Sequence, residues 1–113
     1  MQEVTFAGHP IKIHAAAWSL VLYEDEFGGD LTKDFTEAAD EMKNGKVPLL
    51  VILKALWSFA RTASPSFPSF KAWMRSMGDD ALDMAADASV IEAVSDEFGR
   101  AFFRSVWESS KEV

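Results

Sequence analysis

His9 and His14 are the chain's two histidines, close in sequence to each other and to Glu3. Three such groups converging on one point would begin a zinc site, which wants three or four ligands. One histidine at a turn and one at a strand end, both exposed, is the simpler reading, and metal binding is not expected. The carboxylates come in runs, Glu24-Asp25-Glu26 and Asp79-Asp80. Acid–base or Mg²⁺ chemistry needs a cleft that perturbs a carboxylate. Consecutive carboxylates on a helix point in different directions, as on a solvated face. There is no cysteine, hence no thiolate nucleophile, thiolate ligand or disulfide. Neither a glycine-rich dinucleotide motif nor a P-loop is present, and no serine sits in a nucleophile elbow. The expectation is a non-enzyme without a cofactor.

A third grouping mixes aromatics with bases. Trp57, Phe59, Phe67, Phe70 and Trp73 are interleaved with Arg61, Lys71 and Arg75. Such interleaving can serve single-stranded nucleic acid, whose bases stack on rings above a cationic groove. Here the bases are few and the flanks acidic, which argues against it. Core packing accounts for Trp57 and Phe59. Phe67, Phe70 and Trp73 lie in or beside a proline-rich loop; loops run over surfaces, and exposed aromatics mark interfaces. Two readings stand for these three: a protein-docking surface, or a loop packed back onto the core. Phe103 and Trp107, flanking the apolar stripe of the last helix, complete the set of candidate protein-binding residues.

These residues must be positioned by a small fold. The chain has 113 residues, 49% of them hydrophobic, and a net charge of −7, which suits one domain with a real core. The charge is uneven: zero over residues 1–23, −5 over 24–46, +4 over 47–78 and −6 over 79–113. An acidic shell around a basic, aromatic middle fits solubility and protein partners better than a nucleic-acid backbone. No leader-like apolar segment opens the chain, so no secretory signal is expected. The run "VPLLVILKALWSFA" is too short and too interrupted for a membrane span.

Alternation of Val4 with Phe6 and of Ile11 with Ile13, around "AGHP", predicts a β-hairpin within residues 1–13. A helical bundle over 14–109 should follow, with a frayed tail at 110–113. Its first helix is expected over His14–Phe27, favoured by three alanines, with an apolar band wide enough to be buried on more than one side. Gly28-Gly29 ends it. Asp30 or Thr32 can cap an acidic second helix, stopped by Asn44-Gly45. The third helix, Val47–Ala63, carries Leu49, Ile52, Leu53, Leu56 and Trp57 and should be the centre of the core. After the loop "TASPSFPSF" come a short helix (Ser69–Met77), a helical piece in "DDALDMAADA", and a last helix from Val90 to about Ser109. The expected class is mainly α with a small N-terminal β-hairpin (α+β), a compact bundle of about four to five helices.

The word "DEFG" occurs at residues 25–28 and again at 96–99. The first copy should end a helix. The second should lie inside one, because Phe98 continues the stripe of Ile91, Val94, Phe102 and Val106. That makes Gly99 a helix-interior glycine, costing about 1 kcal/mol relative to alanine.

The order of elements, with "FAGHPIKI" (6–13), "LVLYEDEFGGDL" (20–31) and "LLVILKALWSFAR" (49–61), resembles the tail assembly chaperones of long-tailed phages and prophages. The resemblance implies a non-catalytic protein of the bacterial host cytoplasm that is not part of the finished virion. It implies binding to the long, apolar, helical tape measure protein, keeping it soluble while the tail tube polymerises. It also implies self-association into a homo-oligomer, and tail tube protein as a second partner through a longer frameshifted form. Read without the resemblance, the same residues suit a small acidic helical adaptor or an antitoxin-like binding module.

Overall fold

Alternating apolar residues build the expected hairpin: β1 (Gln2–Phe6) pairs antiparallel with β2 (His9–Ile13), Val4 opposite Ile11 and Gln2 opposite Ile13. The computed structural model describes residues 2–6 and 8–102. Among them six helices follow: α1 (Ala17–Phe27), α2 (Leu31–Lys43), α3 (Leu49–Ala63), α4 (Phe70–Met77), α5 (Asp80–Ala85) and α6 (Ala88–Phe102). The protein is therefore mainly helical with a small N-terminal hairpin.

Val4, Phe6, Ile11 and Ile13 are buried, whereas Glu3, Thr5 and Lys12 face solvent. The hairpin's apolar side lies on the helices, β2 against α3 and β1 against α6. A two-stranded sheet is marginal alone in water, so this packing is what holds it. α3 is the centre of the core as expected: Ile52, Leu53 and every residue from Ala55 to Ala60 are buried. α1 runs against α3 in the opposite sense. The Ser19 and Thr62 hydroxyls meet at 2.6 Å near one end, and the Phe27 and Trp57 rings meet at 5.5 Å toward the other.

The two copies of "DEFG" have different structures. In the first, Phe27 is the last residue of α1 and Gly28 takes the left-handed conformation, φ 73°. Gly29 leaves room for a bond behind it: a Cβ there would stand 3.1 Å from Asp34 Oδ2 and 3.7 Å from the Tyr23 ring. Tyr23 donates its hydroxyl to that same Oδ2 at 2.7 Å, tying α1 to the first turn of α2. Burial, the hydrogen bond to Asp34 and that carboxylate's charge all push the Tyr23 hydroxyl's pKa upward. Asp30 then caps α2, accepting from the amides of Thr32 and Lys33. The second copy lies within α6, with Phe98 buried on its inner side and Gly99 in the helix.

α1 begins at Ala17 rather than His14. Three alanines favour a helix, but the chain before it is pulled straight by tertiary bonds. His14 N donates to Phe59 O at 3.1 Å, and Ala15 N donates to Glu97 Oε1 at 3.0 Å. Ala16 is left extended, φ −153° and ψ 173°, and its amide finds Ser19 Oγ at 3.2 Å.

Glu97 is a partner that the sequence reading did not single out. It is 2% exposed. Besides Ala15, its carboxylate accepts from Gln2 Nε2 at 2.9 Å and from Arg100 Nη2 at 2.7 Å. His14 Nδ1 lies 3.9 Å from it. One side chain thus joins β1, the β2–α1 junction and α6. Burial pushes the Glu97 carboxyl up, but hydrogen bonds from Arg100, Gln2 and Ala15, with the Arg100 charge, outweigh it and hold the group down at about 2 instead of 4.5.

A carboxyl lowered by folding stabilises the fold fully above its unfolded value, and that stability is lost as the pH falls through the folded one. Thermal melts should therefore show a contribution of about 3 kcal/mol from Glu97 disappearing between about pH 5 and pH 2. Glu97→Gln, which removes the titration, should be less stable at neutral pH and vary less across that window. Gly28→Ala, forced to keep a positive φ, should cost about 1 kcal/mol in urea unfolding; an unchanged midpoint would mean the turn does not need glycine.

Candidate functional site

The loop after α3 is fastened rather than loose. Trp57 Nε1 donates to Pro68 O at 2.9 Å, and Arg61 Nη1 donates to Phe67 O at 2.9 Å. Ser69 then caps α4, its side chain accepting from Ala72 N. These bonds fix three of the predicted aromatics against the body of the protein. Trp73 is 5% exposed and packs on Phe6 of the hairpin, ring centroids 5.3 Å apart, and on Phe67 at 5.4 Å. Phe70 meets Phe27 edge to face at 4.9 Å and Trp57 at 6.3 Å. Edge-to-face pairs at these separations add about 0.5–1.5 kcal/mol each beyond area burial.

The structure thus brings Phe67, Phe70 and Trp73 together, as an aromatic wall packed back onto the core. Trp73 is inside that wall. Phe67, Phe70 and Phe27 are half-buried and form its rim. Phe103 and Trp107 lie outside the described residues. The bases of the middle segment are partly used on the same rings: Lys54 Nζ stands 5.1 Å from the Phe27 centroid, and the Arg61 guanidinium 5.6 Å from that of Trp57. Lys71 and Arg75 remain exposed on α4.

Among the described residues the most exposed large apolar ones are others: Trp18 at 58%, Leu50 at 54%, Val47 at 46% and Val21 at 42%. The expectation that α1 is buried on more than one side is corrected here. Trp18 and Val21, three residues apart, share an outward face that continues to exposed Asp25. The acid one turn beyond the apolar pair was the sequence signal for this. On α3, Leu50, Lys54, Trp57 and Arg61 recur at helical spacing on one side, so an exposed leucine leads along that side to the rim around Phe27 and Phe70. Apolar surface bordered by cations and carboxylates suits non-covalent contact with a protein chain. Among the described residues no group of three or more His, Asp or Glu side chains could hold a metal ion, and no helix is long and apolar enough to cross a membrane.

Comparison with models of known protein families, with curated proteins and with solved structures finds nothing that matches this chain.

The wall and its rim should separate in truncation experiments. Trp73→Ala should cost about 3–4 kcal/mol of stability, as expected for a buried indole. Phe70→Ala, at the half-buried rim, should cost about 1–2 kcal/mol. Equal losses in urea unfolding would contradict this division.

Proposed function

We propose that this chain is a tail assembly chaperone of a long-tailed phage or prophage, binding and solubilising the tape measure protein without catalysis. The observation that carries the reading is the exposure of Trp18, Val21, Val47 and Leu50 on a protein of net charge −7. A holdase needs apolar surface for its client and charge to keep the complex dissolved. The three segments that resemble the family also support it. Residues 6–13, 20–31 and 49–61 span parts of the hairpin, α1 and α3, and both the hairpin and α1 pack on α3. Client contact is assigned to the outward face of α1 and to the Leu50 side of α3, with Phe67 and Phe70 at its border. The host cytoplasm is the compartment this role requires.

Co-expression with a tape measure protein from the same phage or prophage is the test. The wild-type chain should raise that protein's soluble yield several-fold and co-purify with it. A Trp18→Ser/Leu50→Ser variant should keep its fold by circular dichroism and lose most of that effect. An unchanged soluble yield with the wild-type chain would refute the function; full activity in the double variant would refute only the surface.

A further inference from the structure

The hairpin has two outer edges, and they are not equivalent. Pro10 has no N–H, so its pair with Thr5 cannot be a hydrogen-bonded one. Alternation along an antiparallel ladder then makes Phe6–His9, Val4–Ile11 and Gln2–Ile13 the bonded pairs. The backbone groups of Thr5 and Glu3 on β1, and of Pro10 and Lys12 on β2, therefore point outward. On β2 that edge carries the proline, which cannot donate to another strand, and it faces a groove shared with Ser64 and Phe67 of the loop after α3. On β1 both outward residues have an N–H and a C=O. No bond from other described residues reaches the Glu3 or Thr5 backbone from outside the sheet. An unpaired strand edge of this kind is a template for another strand.

A groove of about 440 Å³ runs along the β1 edge, floored by α6. Ser89, Glu92, Ala93 and Asp96, at spacings of 3, 4 and 7 residues, form one row of that helix and line it, with Glu3 and Thr5 opposite. Its charged lining is wholly acidic. Of the neighbouring bases, Lys12 is cross-strand from Glu3 and Arg100 is bonded to Glu97.

We propose that the β1 edge is an acceptor for an extended, basic segment of a partner protein, added antiparallel or parallel to β1 as a third strand. Backbone pairing with Glu3 and Thr5 supplies the register. Lysine or arginine at alternate positions of the incoming strand lies over Glu92 and Asp96. The site is separate from the apolar surface assigned to client binding and does not rest on that assignment.

The test uses the full chain and two synthetic peptides, one alternating lysine with valine and one alternating glutamate with valine. By fluorescence anisotropy the basic peptide should bind at least ten-fold more tightly than the acidic one, and less tightly as salt rises. Hydrogen exchange at the Glu3 and Thr5 amides should slow on binding. Glu92→Lys, an exposed change on α6, should weaken the basic peptide several-fold without altering the fold, and Thr5→Pro should remove the amide that pairs. Binding without slowed exchange at Glu3 and Thr5, equal affinity for both peptides, or full affinity in Glu92→Lys would overturn the proposal. Slowed exchange that grows with protein concentration in the absence of peptide would assign the edge to a second copy of the chain, and would also overturn it.

Discussion

One buried carboxylate, Glu97, ties α6 to both ends of the N-terminal hairpin, which lies more than 80 residues away in sequence. It takes a backbone amide from Ala15, a side-chain amide from Gln2 and a guanidinium N–H from Arg100. A buried charge is costly unless paired and hydrogen-bonded, and here both conditions are met with short bonds. The arrangement makes hairpin position and helix position one problem. If Glu97 were withdrawn, the Ala15 amide would lose its partner and β1 would keep only the longer bonds of Gln2 to Ala93 O and Asp96 Oδ2, both 3.4 Å, as polar ties to α6.

That constraint shapes the functional surfaces. Seating the hairpin on the helices gives Trp73 a floor in Phe6 of β1, and the aromatic wall is built outward from there through Phe67, Phe70 and Phe27. Seating β1 over α6 leaves the outer strand edge beside a row of acids. Among the described residues the core therefore takes up most of the aromatic surface, and the large apolar groups left exposed are Trp18, Val21, Val47 and Leu50. The chaperone role proposed above would draw on this residual surface of an otherwise charged exterior.

Much of this order is legible in the residues. Period-2 alternation finds the hairpin, and the two copies of "DEFG" separate correctly because only Phe98 continues an apolar stripe through its glycine. What escapes is whatever depends on a distant partner. Helix propensity assigns Ala15 and Ala16 to α1, since nothing local reveals that Glu97 and Phe59 will claim the backbone at 14 and 15. Glu97 drew no reading, although its position between Val94 and Phe98 on the inner side of α6 was the signal that a carboxylate had been placed inside. Trp18 belongs to the wide apolar band that made α1 read as buried on more than one side; its outward direction follows from where Ser19 and Tyr23 must point to reach Thr62 and Asp34. The fate of Trp73 required knowing that Phe6 of the hairpin would pack against its ring.

The most direct measurement of the central claim is the titration of the Glu97 side-chain carboxyl by carbon-detected NMR on the intact protein. A carboxylate held by Arg100, Gln2 and Ala15 should titrate at about 2, with the Ala15 amide shift following the same curve. A Glu97 midpoint near 4.5, or an Ala15 amide indifferent to it, would show that the hairpin is not held to the helices through this side chain.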